Sequence, residues 1–137
     1  MVLKLLLSGY MDIVDKKILM VDEQGFYRVC SAILEAEGYS TELFTSVNNL
    51  PVKLSNNEFG LIVISYPFGA FLLDEIKKWN IATIVLTDNL DGSLINLMNG
   101  LENSYCMIKP LDYVQFGSLI REVMSGNSVY RRGYTVV

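Results

Sequence analysis

The amino-acid sequence contains no histidine, and its 137 residues include only two cysteines and three prolines. Histidine is the commonest general base in enzymes and the usual activator of serine and cysteine nucleophiles, so most hydrolase triads are excluded. The two cysteines, Cys30 and Cys106, lie singly in apolar sequence without a C-x-x-C motif. They are therefore predicted to be reduced core thiols of a cytoplasmic protein.

Basic residues and long apolar runs are also scarce. The sequence has 11 lysines and arginines and 15 aspartates and glutamates, which gives a net charge of -4. A phosphate backbone attracts a basic surface, so we expect no direct binding of DNA or RNA. The longest uncharged stretch, residues 59–73, is shorter than a membrane span and is interrupted by Ser65 and Pro67. We therefore predict no membrane span, and the short apolar stretch over residues 1–7 does not make an export signal.

Apolar runs alternate with helical periodicity along most of the sequence. With 51% apolar residues, the chain has enough material for one domain whose core needs neither disulfides nor a structural metal. The alternation predicts an α/β fold of (βα)5 type, in which helices cover both faces of a doubly wound, five-stranded parallel sheet. The predicted strands are residues 17–21, 40–44, 61–64, 81–86 and 106–108.

The predicted domain covers residues 16–126. Residues 1–15 form an N-terminal extension that is apolar enough to pack on the domain or to contact a partner. Residues 127–137 form a C-terminal tail, for which an edge strand, a docking segment and the stub of a linker remain open.

Local signals position the helices. The first helix is predicted to bury four apolar residues that recur at helical spacing: Phe26, Val29, Cys30 and Ile33. Gly38 fits the end of this helix. Asp91 and Asp112 are predicted to cap the amino ends of the last two helices.

Polar residues close the apolar strands of this predicted sheet. In open parallel sheets, ligands bind at the carboxyl ends of the strands, so these residues define the candidate site. They are Asp22, Glu23, Ser65, Thr87, Asp88 and Lys109.

Four motifs make the sequence resemble the receiver domain of response regulators, a chemotaxis-type domain with a flavodoxin-like fold. They are Val21-Asp22-Glu23 after the first strand, Arg28 through Glu37-Gly38-Tyr39 along the first helix, Leu86-Thr87 after the fourth strand and Lys109-Pro110 after the fifth. Each motif is weak alone, whereas the ordered set is specific. The resemblance extends over residues 16–125 and implies a receiver fold.

The resemblance also implies roles for the candidate residues. Asp22 and Glu23 match the acidic pair that binds Mg²⁺ in the family. Thr87 matches the switch hydroxyl, and Lys109 matches the lysine that neutralises the phosphoryl group. Ser65 stands where the family has the aspartate that accepts the phosphoryl group, because the pattern of residues 58–65 leaves little freedom in register.

The serine at this position changes the expected chemistry. A carboxylate attacks phosphorus without a base and is a ligand that Mg²⁺ prefers, whereas the hydroxyl of Ser65 is neither. We therefore predict an atypical receiver, or pseudo-receiver, that is not phosphorylated on aspartate. Its Mg²⁺ site at Asp22 and Glu23 is predicted to be weak or vestigial.

Further positions depart from the family pattern. Asp88 follows Thr87 where the family has a small residue, so its carboxylate is predicted to crowd a phosphoryl group or to imitate one. Cys106 replaces the aromatic switch residue, and Tyr105 is displaced to the opposite side of the strand. The loop over residues 66–70 is predicted to be shortened.

Each candidate residue also has a structural interpretation. Asp22 and Glu23 can form a vestigial ionic cluster held together by Lys109. The hydroxyl of Thr87 can bind the backbone at the end of its strand, and Ser65 can be a small, hydrogen-bonded strand terminus.

The predicted function is two-component-type signal transduction by phosphorylation-independent binding of proteins. A histidine kinase or an output protein is the expected partner, with a homodimer as a further form, and no enzymatic activity is expected. The resemblance implies that partners bind the fourth helix, fifth strand and fifth helix. Two alternatives remain: a Mg²⁺-dependent regulator phosphorylated on Ser65 or a nearby acid, and a sensor that binds a small anion through Lys109 and Thr87.

Overall fold

The computed structural model describes residues 16–45, 50–125 and 133–137. Its six strands form one sheet in the order β2-β1-β3-β4-β5-β6, and all neighbouring strands are parallel. The strands are β1 (Lys17–Val21), β2 (Thr41–Leu43), β3 (Phe59–Tyr66), β4 (Ala82–Thr87), β5 (Ser104–Ile108) and β6 (Tyr134–Val136).

Helices cover both faces of this sheet. They are α1 (Gln24–Ala36), α2 (Leu50–Ser55), α3 (Leu73–Ile76), α4 (Gly92–Met98) and α5 (Tyr113–Met124), and a 3₁₀ turn over Ala70–Leu72 precedes α3. Alternate strand residues point to opposite faces, so the core consists of two clusters. One cluster packs against α1 and α5, and the other packs against α2, α3 and α4.

The predicted doubly wound parallel sheet is confirmed, but it has one strand more than the predicted five. The additional strand, β6, pairs with β5 and lies within the tail predicted over residues 127–137. The sequence left an edge strand, a docking segment and a linker stub open for this tail, and the structure shows an edge strand at Tyr134–Val136. The extension over residues 1–15 and the tail residues up to 132 lie outside the described residues.

Several local predictions hold in the structure. The side chain of Asp91 accepts a hydrogen bond from the Leu94 N–H at 2.8 Å, and Asp112 accepts two at the start of α5. Gly38 follows α1 with a φ of +96°, a conformation that glycine adopts without strain. None of the helices in the described part of the chain is long and apolar enough to cross a bilayer.

The predicted apolar face of α1 is wrong at Val29, which is 50% exposed. Cys30 is buried as predicted, and the other buried residues of the helix are Ser31 and Leu34. Apolar residues lie on more than one side of α1, so spacing alone left its rotation undecided. A serine is tolerated on the buried side because its hydroxyl donates a hydrogen bond to the Arg28 carbonyl at 3.2 Å.

Candidate functional site

The carboxyl ends of β1, β3 and β5 surround a cleft of about 300 Å³. The structure brings five predicted site residues together there, along with four residues of the neighbouring loops and helix. The cleft is lined by Asp22, Glu23, Phe26, Ser65, Tyr66, Pro67, Phe68, Asp88 and Lys109. Thr87 and Cys106 do not line this cleft.

Ser65 lies at the centre of the cleft and is almost completely buried. Its hydroxyl donates a hydrogen bond to Oδ2 of Asp22. The Lys109 ammonium donates a hydrogen bond to the same hydroxyl oxygen, with 3.2 Å between Nζ and Oγ. The hydroxyl therefore links a buried carboxylate to an ammonium group, and hydrogen bonds to charged groups are the stronger class.

Asp22 and Glu23 are adjacent in sequence but differ in environment. Asp22 is buried, and its second oxygen, Oδ1, accepts a hydrogen bond from the Glu23 N–H at 2.7 Å. The side chain of Glu23 is exposed. Both carboxylate oxygens of Asp22 thus already have protein partners.

These residues are a poor fit to the Mg²⁺ that the resemblance implies. Mg²⁺ needs oxygen ligands in near-octahedral geometry and is usually held by carboxylates. Within residues 16–45, 50–125 and 133–137, no three acidic, cysteine or histidine side chains are grouped so that they could hold a metal. Ser65 supplies a hydroxyl that is already hydrogen-bonded where a third carboxylate would be needed.

Lys109 does not form the predicted ionic cluster with the acidic pair. Among the described residues, its ammonium makes no ion pair within 4.0 Å of Asp22 or Glu23, and it contacts Ser65 instead. Its Nζ also lies 4.3 Å from the centre of the Phe26 ring. A cation over an aromatic face is stabilised by the ring quadrupole. The interaction of Lys109 with Asp22 is therefore relayed through a hydroxyl.

The charged residues of the cleft also act on the pKa of the buried Cys30 thiol. The pKa of its thiol is raised to about 12, chiefly by burial and in addition by the negative charge of Asp22, while the positive charge of Lys109 lowers it. The thiol is therefore neutral at physiological pH. A neutral buried thiol is unreactive, which agrees with its predicted role as a core residue.

Thr87 is equally buried, but its hydroxyl binds its own loop. The hydroxyl donates to the Asn89 carbonyl at 2.7 Å and accepts from the Asn89 N–H at 3.2 Å. This geometry corresponds to the structural interpretation of Thr87 as a strand-end hydroxyl. Thr87 lines a neighbouring cavity of about 380 Å³, and the exposed Asp88 lines both this cavity and the cleft.

The remaining predicted site position, Cys106, is fully buried in the core cluster beneath α2, α3 and α4. Burial raises the pKa of its thiol. Tyr105 belongs to the opposite cluster, so the predicted displacement of the aromatic residue to the other side of β5 is found. No aromatic switch residue occupies the position of Cys106.

Sequence reasoning missed Phe26, Phe68 and Asn89. Phe26 was assigned to the core face of α1, yet its position three residues after Glu23 brings its ring to the strand ends. Phe68 lies in the turn after β3, and half of its side chain is exposed. Asn89 gave no sequence signal, because its backbone rather than its side chain binds Thr87.

No protein-family model matches the chain, and no curated protein matches it. Solved structures do match. A two-component response regulator from Clostridium difficile superposes with a TM-score of 0.69 and 20% identity, over 83% of this chain and 99% of that chain. A CheY-like response regulator receiver domain protein from Methanospirillum hungatei has a TM-score of 0.67 and 23% identity, over 81% and 94% of the two chains.

A third structure is the response regulator TrrA from Thermotoga maritima, which was solved in complex with Mg²⁺ and BeF. Its TM-score is 0.63 at 17% identity, over 80% of this chain and 98% of that chain. At such identities the likeness shows the fold. The receiver fold implied by the sequence motifs is thus confirmed.

Proposed function

We propose that the chain is a receiver domain of two-component signalling that acts by binding protein partners without being phosphorylated. The observation that carries this proposal is the position of Ser65. It stands where the resemblance puts the accepting aspartate, and its hydroxyl is bound between Asp22 and Lys109. The receiver fold, the acidic pair and the lysine support the family, while the serine argues against its usual chemistry.

The surroundings of Ser65 disfavour a phosphorylated state. A phosphoryl group carries nearly two negative charges, and here it would lie beside Asp22 and close to the carboxylate of Asp88. Of the residues that the structure describes, Lys109 is the only cation that lines the cleft. The Thr87 hydroxyl, which would have to bind a phosphoryl oxygen, is engaged with Asn89. The charges present stabilise the unmodified domain better than a modified one.

The partner in this proposal is a histidine kinase or an output protein, met in the cytoplasm. The resemblance implies a binding surface on α4, β5 and α5. Since β6 pairs with the edge of β5, the corresponding surface of this chain consists of α4, α5 and β6. Exposed apolar side chains at the start of α5 and on β6 suit such contacts, namely Tyr113, Val114 and Val136.

The direct test is the intact mass of the purified protein after incubation with Mg²⁺ and acetyl phosphate, with a metal-free sample as control. We expect no change in mass while the protein remains folded by circular dichroism. A Mg²⁺-dependent gain of one phosphoryl group would overturn the proposal.

A second test restores the missing carboxylate. Ser65→Asp combined with Asp88→Ala is expected to bind Mg²⁺, because a third carboxylate then joins Asp22 and Glu23. The double variant should show a melting temperature that rises with Mg²⁺ and should gain a phosphoryl group from acetyl phosphate. Adding Asp22→Asn is the matched control and should abolish both responses. A folded double variant that responds to neither reagent would show that Ser65 does not occupy the acceptor position.

One contact favours a second candidate, in which Ser65 itself accepts the phosphoryl group. Its hydroxyl donates to Asp22, a carboxylate placed to take the proton as Oγ attacks the phosphorus of acetyl phosphate and the bond from phosphorus to the leaving acetate breaks. The mass experiment would then show a gain that is lost in both Ser65→Ala and Asp22→Asn. The anion-sensor alternative is disfavoured, since three carboxylates and a single ammonium line the cleft.

A further inference from the structure

The outer edge of β6 ends the sheet on one side. The Ser104 N–H donates to the Gly133 carbonyl at 3.4 Å, and the Val137 N–H donates to the Cys106 carbonyl at 2.8 Å. Backbone direction alternates along a strand, so the amide of Thr135 also faces β5. The N–H and C=O groups of Tyr134 and Val136 therefore face outwards. Among the described residues, no hydrogen bond engages them.

The opposite edge of the sheet, β2, is protected by charge. Its central residue, Glu42, forms an ion pair with Lys53 and lies 3.8 Å from the ammonium of Lys17. Charged side chains are a common means by which proteins keep edge strands from pairing with other chains. An edge of this kind resists addition of another strand.

The β6 edge has no such protection within residues 133–137. Its sequence, Gly-Tyr-Thr-Val-Val, contains no charge and no proline and is rich in β-branched residues. Val136 is 47% exposed and Val137 is 38% exposed. Within the described part of the chain, the short length of β6 is the one feature that limits its ability to pair.

We propose that the outer edge of β6 is a self-association surface on which a second copy of the chain adds its own β6, antiparallel, about a two-fold axis at Thr135. In this arrangement the outward N–H and C=O of Tyr134 form hydrogen bonds with the C=O and N–H of Val136 in the second copy. By the two-fold symmetry, Val136 forms the same two bonds with Tyr134 of the second copy. The edge is therefore self-complementary. Because the side chains of residues 133–137 are uncharged, no like-charged side chains come to lie opposite each other, whereas Glu42 would oppose the same pairing of β2.

This inference goes beyond the signalling role proposed above and does not rest on it, although β6 also belongs to the proposed partner surface. It assigns the contact to backbone groups of β6, and the cleft around Ser65 takes no part in it. The interface centres on a three-residue strand, so a weak dimer is expected rather than an obligate one.

The test is sedimentation velocity of the full chain from about 10 to about 500 µM, the range in which small interfaces associate. A concentration-dependent dimer is expected. Val136→Pro removes an outward N–H while leaving the β5 pairing intact, and it should weaken the dimer at least about tenfold.

Leu43→Pro is the matched control on β2. The bonds from Ile18 N–H to the Ser40 carbonyl and from Phe44 N–H to the Met20 carbonyl show that the Leu43 amide also faces outwards.

A chain that stays monomeric over the whole range would overturn the proposal. So would a dimer that survives Val136→Pro, or one that Leu43→Pro dissociates equally. Hydrogen exchange of the unmodified chain provides a second measurement if a proline variant fails to fold. The amides of Tyr134 and Val136 should exchange more slowly as concentration rises, while the amide of Leu43 should not change; equal behaviour of all three would refute the β6 interface.

Discussion

Ser65 and Thr87 are hydroxyl residues at the ends of neighbouring strands, and both are almost completely buried. Their hydrogen bonds differ in reach. Ser65 binds Asp22 and Lys109, which lie 43 and 44 positions away in sequence, whereas Thr87 binds Asn89, two positions away. Ser65 therefore belongs to a charged tertiary network and Thr87 to a local turn. Similar burial and chemistry do not give two residues the same role.

The largest expected effect comes from removing the cation of the Ser65 network. Lys109→Met leaves the buried Asp22 carboxylate without its relayed ammonium and should lower the free energy of unfolding by about 2 kcal/mol, less than for a fully buried pair because Lys109 is partly exposed. Urea unfolding measures this loss. In an Asp22→Asn background the same substitution should cost less than about 1 kcal/mol. Equal costs in both backgrounds would contradict the relay through Ser65.

The next prediction concerns the hydroxyl of Ser65. Ser65→Ala removes hydrogen bonds to two charged groups and should destabilise the fold by about 1.5 kcal/mol in urea unfolding. Ser104→Ala is the matched control, because Ser104 is also a buried strand serine but donates to a neutral carbonyl, that of Gly133, at 3.3 Å. The control should lose only about 0.5 to 1 kcal/mol. A control that costs as much as Ser65→Ala would remove the distinction between charged and neutral partners.

Thr87→Val should cost about 1 kcal/mol, because both bonds to Asn89 are neutral and local. Thr87→Ser keeps the hydroxyl and is the matched control. Since the hydroxyls of Ser65 and Thr87 share no hydrogen-bond partner, the effects of removing them should add within about 0.5 kcal/mol in the double variant Ser65→Ala/Thr87→Val. A larger coupling energy, measured by urea unfolding, would mean that the two hydroxyls belong to one network.

The sequence predicted features that depend on short-range or topological rules. Asp91 and Asp112 cap their helices as expected, since a cap requires only a side chain and amides two or three positions away. Five of the six predicted strand-end residues also line one cleft, because the carboxyl ends of parallel strands meet at one edge of the sheet.

Features that depend on competition between partners were left open by the sequence or predicted wrongly. From the sequence, the hydroxyl of Thr87 had two potential sets of partners, and the structure shows the one at its strand end, the backbone of Asn89. The Lys109 ammonium contacts the Ser65 hydroxyl and the Phe26 ring and makes no direct contact with a carboxylate of the described residues. Val29 lies on the exposed side of α1 because packing of the whole helix, rather than its own hydrophobicity, decided the rotation.

The smallest expected effect is the change in the free energy of unfolding with pH that the Cys30 thiol causes. This thiol lies close enough to the Ser65 network for the charges of Asp22 and Lys109 to act on its pKa. Burial and Asp22 raise the pKa of the Cys30 thiol to about 12, so the folded protein keeps the proton that the unfolded chain loses near pH 8.5. The unfolded state thus binds fewer protons above that pH, and stability must fall as pH rises. Between pH 8 and pH 9 the loss from this thiol should be less than about 1 kcal/mol, as measured by urea unfolding.

Cys30→Ala should reduce this alkaline loss without abolishing it, because burial also raises the pKa of Cys106. The combined variant Cys30→Ala/Cys106→Ala should show almost no change between pH 8 and pH 9. Tyr39 does not confuse the measurement: its pKa is raised too, but a tyrosine in the unfolded chain ionises only near pH 10. If the alkaline loss of stability persists in the double variant, groups other than the two thiols cause it. The pH dependence of stability would then carry no information on the charge of Asp22 near Cys30.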